Sequence, residues 1–93
     1  MTLALMWEAA AVTGRGAELL AWAREARPAG RPLRRETFTA PGDRVLVITW
    51  WPADTANGTA DGTDGAPGEL PDPPADLVRR PVHRWRFTSV GVE

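Results

Sequence analysis

The chain predicts an α+β fold, a single helix packed on a four-stranded antiparallel sheet, within one domain spanning residues 1–93. Three features of its patterning carry this. Residues 2–12 and 44–51 are apolar at both alternating sets of positions, as expected of central strands covered on both faces. Residues 33–40 and 82–90 alternate between polar and less polar sets, which suits edge strands. Between the first two strands lies the only stretch with helical periodicity, residues 16–27.

Each element can be justified in chain order. In residues 2–12, Leu3, Leu5, Trp7, Ala9 and Ala11 share one face, while Ala4, Met6, Ala10 and Val12 share the other. Thr13-Gly14-Arg15-Gly16 is a turn. The helix that follows carries Leu19, Trp22, Ala23 and Ala26 as an apolar stripe, and Pro28, Gly30 and Pro32 end it. In residues 33–40, Glu36, Phe38 and Ala40 oppose Arg35, Thr37 and Thr39. Pro41-Gly42-Asp43 turns the chain back into a hairpin. The returning strand sets Val45, Val47 and Trp51 against Leu46, Ile48 and Trp50, and Pro52 ends it by removing a ladder donor. Residues 53–71 are rich in Gly, Asp, Thr, Ala and Pro, so they predict a flexible acidic loop. Residues 72–78 predict one helical turn, with Asp72 as N-cap and Pro73 in the first position. The last strand, residues 82–90, puts His83, Trp85 and Phe87 on one face and Arg84, Arg86 and Thr88 on the other.

The resulting order is β-α-β-β-(short α)-β. With the first and third strands central and the second and fourth at the edges, the sheet order is 4-1-3-2, the ferredoxin-like arrangement. One helix and one turn cover a single face of such a sheet. The other face would expose large apolar side chains, and a second copy of the chain is the simplest cover, so a homodimer is expected.

Composition narrows the chemistry. The chain has no Cys, which excludes a disulfide scaffold, a thiol nucleophile and thiolate metal sites. It has no Lys, which excludes a lysine Schiff base. The formal charge of −1 is unevenly spread. Asp54, Asp61, Asp64, Glu69, Asp72 and Asp76 fall within residues 53–76, which hold no Arg, leaving a weakly basic body. The apolar start lacks a basic region and is broken by Glu8, so it reads as a strand rather than a signal peptide; a cytoplasmic location is expected. No apolar run approaches the ~18 residues of a membrane span. The DGTDG stretch (61–65) lacks the spacing and the final Glu of a calcium loop. The third strand, RVLVITWW, lacks the Gly-aromatic pattern of RNA-recognition modules, so no nucleic-acid partner is expected.

Three stretches, WEAAAVTGRGAELLAWARE (7–25), APGDRVLVITWW (40–51) and DPPADLVRRPVHRWRF (72–87), resemble the antibiotic biosynthesis monooxygenase-like superfamily, the dimeric α/β barrels, in its short actinobacterial type. The resemblance implies a homodimer with a pocket between helix and sheet in each subunit. It implies either cofactor-free oxidation of an aromatic small molecule or a non-catalytic small-molecule-binding or interaction protein on the same scaffold. In the family's haem-degrading branch, an Asn on the first strand, a Trp on the third and a His on the second helix form the site. Only the Trp has a counterpart here, Trp51; the first strand offers Trp7 and Glu8, and His83 stands on the fourth strand. The resemblance therefore disfavours haem, and no cofactor or metal is expected.

The candidate site follows from these residues. His83 is the single His, and only His has an unperturbed pKa near neutrality, so it is the candidate general acid or base. The competing reading is a structural or interface His in an aromatic row. Trp7, Trp51 and Trp85 are the candidate pocket walls, with packing as the alternative for each.

Overall fold

The structure, a computed structural model, describes residues 2–52 and 68–93. Strand β1 runs over Thr2–Ala10, helix α1 over Gly16–Glu25, β2 over Arg34–Ala40, β3 over Arg44–Pro52 and β4 over His83–Ser89. The strands form one antiparallel sheet in the order β2-β3-β1-β4, which reads 4-1-3-2 from the β4 edge. The described residues are consistent with a ferredoxin-like α+β fold.

Register fixes what each face contains. Trp7 lies opposite Val47 on β3 and Arg84 on β4, and Leu3 lies opposite Trp51 and Thr88. With Leu5, Ala9, Val45 and Thr49 these residues make the covered face, on which α1 packs through buried Leu19 and Ala23. Trp7 stacks on Trp22 of α1 with ring centroids 5.9 Å apart. Aromatic pairs of this kind add to plain area burial.

The short helical turn expected at 72–78 is replaced by a simple turn over residues 75–77. Pro73 and Pro74 remove two donors, and only the Leu77 amide closes back, onto the Pro74 carbonyl at 3.0 Å. The carbonyl of Leu77 instead accepts from the Val12 amide, and the Arg79 amide donates to Ala10, so the segment is drawn into a bridge with the end of β1. Asp72 caps nothing; it pairs with Arg84 at 2.7 Å. The helix also ends earlier than its periodicity suggests. Ala26 is already extended, two residues before Pro28.

Most of the acidic loop expected at 53–71 lies outside the described residues, but its last part does not. Leu70 is buried and joins the core with Leu77, Trp7 and Leu19. Arg84 holds this stretch down, donating to the Leu70 carbonyl at 2.7 Å while pairing with Glu69 and Asp72. Thus the polar side of β4 clamps a covering segment.

The turns before α1 and between β2 and β3 dock on each other. Gly42 and Asp43 both have positive φ, a conformation Asp tolerates. The Asp43 carboxylate accepts from the Gly14 amide at 3.0 Å, and its carbonyl accepts from Ala11. A Cβ at Gly16 would sit 2.6 Å from Asp43 Oδ1, so glycine there permits the close approach.

The Trp7 indole is 2% exposed, and its Nε1 has no hydrogen-bond partner among the described residues. An orphaned buried donor costs about 1–3 kcal/mol. Trp7→Phe should therefore change unfolding free energy in urea by less than about 1 kcal/mol, whereas Trp7→Ala should cost about 3–5 kcal/mol through lost stacking and a cavity. A Phe variant as damaged as the Ala variant would show that the indole N–H is satisfied after all.

Candidate functional site

The sheet separates the sequence-derived candidates into two pairs. Trp7 and Trp51 lie on the covered face, each 2% exposed. Trp51 donates through Nε1 to Thr49 Oγ1 at 2.9 Å, a satisfied packing arrangement rather than an open pocket wall. His83 and Trp85 lie on the opposite, open face, where His83 meets Trp85 edge-on with centroids 5.3 Å apart. No single pocket can take all four side chains, because the backbone of the sheet stands between the pairs.

Cross-strand register organises the open face into three rows. Phe38, Leu46, Glu8 and His83 form the first. Glu36, Ile48, Met6 and Trp85 form the second, and Arg34, Trp50, Ala4 and Phe87 the third. Trp85 and Phe87 are 44% and 50% exposed. Trp50 is partly shielded by the Arg34 guanidinium, 4.9 Å from the ring centroid, a cation–π contact. Alternation in four short strands thus produces a broad aromatic and aliphatic surface that no described element covers.

One end of this surface is charged. Glu8, whose side chain is 13% exposed, lies directly opposite His83, and its Oε1 is 3.5 Å from His83 Nδ1. The same oxygen accepts from Arg80 Nη2 at 2.6 Å, and Oε2 is 3.8 Å from Arg44 Nη1. One carboxylate therefore serves two guanidinium groups and an imidazole. The sequence presented Glu8 as an interruption of an apolar run and, with Trp7, as what the first strand offers where the haem-degrading branch has an Asn; neither reading joined it to His83. Its parity in β1, which puts it on the face of Met6 and opposite the His83 strand, was the signal that could have found the cluster.

Chemically, a carboxylate beside an imidazole can orient it and support proton transfer. Among the described residues no group of three His, Asp or Glu converges as metal ligands. Cavities with described walls lie elsewhere. One groove, of about 590 Å³, opens between the end of α1, the 28–32 turn and β2, and is lined by none of the four candidates. No described helix is long and apolar enough to cross a membrane.

Comparison with known proteins finds no matching family model, no matching curated protein and no matching solved structure.

The Glu8 cluster yields a direct test. Glu8→Gln keeps the shape but leaves three basic groups without their shared partner at a partly buried site. The loss should be about 1–3 kcal/mol of stability, read by urea unfolding. A change below about 0.5 kcal/mol would mean that Arg44, Arg80 and His83 are adequately solvated without it.

Proposed function

We propose that the chain is a small homodimer in which two sheets stack through their open faces to form an α/β barrel, and that it works as a non-catalytic small-molecule-binding or interaction protein. The observation that carries this is the face, covered by no described element, that bears Met6, Leu46, Ile48, Trp50, Trp85 and Phe87. Helix α1 and the buried leucines of the 68–82 segment both pack on the opposite side. Residues 53–67 contain no apolar side chain larger than Ala or Pro, so their composition offers little to cover an aromatic surface. A second copy supplies the same aromatic rows, and both signs of charge occur on the face, with Glu8 and Glu36 beside Arg34 and Arg44. The dense stacking of Trp7 on Trp22 and the internal hydrogen bond of Trp51 argue against a reaction chamber at those two residues.

A second reading, cofactor-free oxidation of an aromatic small molecule, is favoured by one observation, the Glu8–His83 contact beside Trp85. In that reading the imidazole accepts the proton of a phenolic substrate and Glu8 steadies the imidazolium. The substrate would have to be bound at the end of the open face rather than between helix and sheet.

Sedimentation equilibrium at micromolar concentration should give twice the 10.1 kDa chain mass. Ile48 sits in the central row of the open face, so Ile48→Arg should yield a monomer that keeps its circular dichroism spectrum, because burying an unpaired charge in a dry interface costs several kcal/mol. A wild-type monomer, or a dimer indifferent to this substitution, would remove the stacked-sheet assembly.

A further inference from the structure

Four of the eleven arginines converge on one groove. Arg24 and Arg27 come from the end of α1 and just beyond it, Arg31 from the following turn and Arg35 from the covered side of β2. The groove is open to solvent and offers about 590 Å³, within the usual range for small-molecule sites, and Pro28 and Pro32 add an apolar wall.

The charges of this groove differ from those of most other arginines in the chain; outside it, only Arg79 likewise bonds backbone carbonyls and no carboxylate among the described residues. Arg15, Arg34, Arg44, Arg80, Arg84 and Arg86 each pair with a carboxylate. Among the described residues, none of Arg24, Arg27, Arg31 and Arg35 does, and no carboxylate lines the groove. Two of the four are held rigidly by backbone. Arg35 donates to the carbonyls of Ala26 and Ala23, and Arg27 donates to those of Arg24 and Ala26. These last carbonyls of α1 anchor the guanidinium groups without cancelling their charge. Burial, and after it the neighbouring charge of Arg27, lower the pKa of Arg35.

We propose that this groove binds a small phosphorylated metabolite carrying at least two linked phosphates. Guanidinium forks match phosphate oxygens in pairs of parallel hydrogen bonds, and a diphosphate spans more than one fork where a single phosphate does not. The proline wall supplies contact for the organic part of such a ligand. The site lies on the covered side of the sheet near the β2 edge, so it stands whether or not the open faces pair.

The test is calorimetric titration of the full chain with inorganic pyrophosphate, and with citrate as a polycarboxylate of comparable charge, at low salt and at about 0.15 M. Saturable binding of one pyrophosphate per chain is expected, surviving at the higher salt. Arg31→Gln and Arg24→Gln should each weaken it by roughly tenfold. Arg86→Gln removes the same charge from a different surface and should leave the affinity within about twofold. Circular dichroism checks that each variant is folded. Absence of saturable binding, or equal weakening by Arg86→Gln and Arg31→Gln, overturns the site, since the latter marks a response to net charge alone. Citrate binding as tight as pyrophosphate overturns the assignment to phosphate chemistry.

Discussion

The rest of the architecture depends on one constraint, the two-sided apolarity of β1 and β3. These central strands carry large hydrophobic side chains at both parities, yet the described chain covers one parity only. Trp7, Val45 and Val47 are buried with α1 and the 68–82 segment, and Leu3, Leu5 and Trp51 form a second buried cluster on the same face. Met6, Leu46, Ile48 and Trp50 share the other side with Trp85 and Phe87. Each CH₂ group left in water forgoes about 0.8 kcal/mol of burial, so a face of this breadth is a strong drive toward association. The assembly proposed above follows from that imbalance rather than from any catalytic feature.

Holding both covering elements on one side requires devices that are mostly arginine and carboxylate. Arg84 reaches from β4 to clamp residues 69–72, and Arg79 donates to the carbonyls of Ala11 and Gly42, tying the end of β1 to the hairpin turn. Arg35 caps the end of α1 from beneath. Arg15 bonds Glu18 and the carbonyl of Asp76, joining the start of the helix to the segment before β4. Exposed ion pairs are each worth little, but these guanidinium groups also bond backbone carbonyls, which tie the covering segments to the sheet. In a chain without Lys, the fork geometry of Arg makes such multiple bonding possible.

The strands were legible in the sequence because their periodicity is unbroken: the alternation of residues 44–51 and 83–89 matches the observed faces residue by residue. The hairpin was legible from Pro41-Gly42-Asp43, where Gly42 and Asp43 take the positive φ values that such residues tolerate. The second helical turn was misread because Asp72-Pro73 is a favourable opening for a helix in isolation, and local propensity cannot reveal that Arg84 claims Asp72 or that Ala10 and Val12 bond to residues 77–79. Leu70 was overlooked for a similar reason. A single leucine in a Gly- and Asp-rich stretch has no periodicity, and only tertiary contact shows that it is core.

The candidate site shows the same division. Alternation within one strand correctly joined His83 to Trp85, because residues two apart on a strand share a face. Grouping that pair with Trp7 and Trp51 required knowing which parity of each strand faces which layer, and this is set by register between strands. Glu8 ↔ His83 and Trp7 ↔ Arg84 are adjacent pairings, yet they point to opposite layers. A slip of one residue would exchange them entirely. Neighbouring positions in β1 therefore face different chemistry: Trp7 is sealed in an aromatic stack, while Glu8 gathers Arg44, Arg80 and His83 at the end of an open apolar sheet. A ligand or partner that meets the polar cluster must approach across the open face, and one that meets the arginine groove must approach from the side of α1. The sheet thus presents two chemically distinct surfaces, one suited to apolar association and one to anions, with its own backbone keeping them apart.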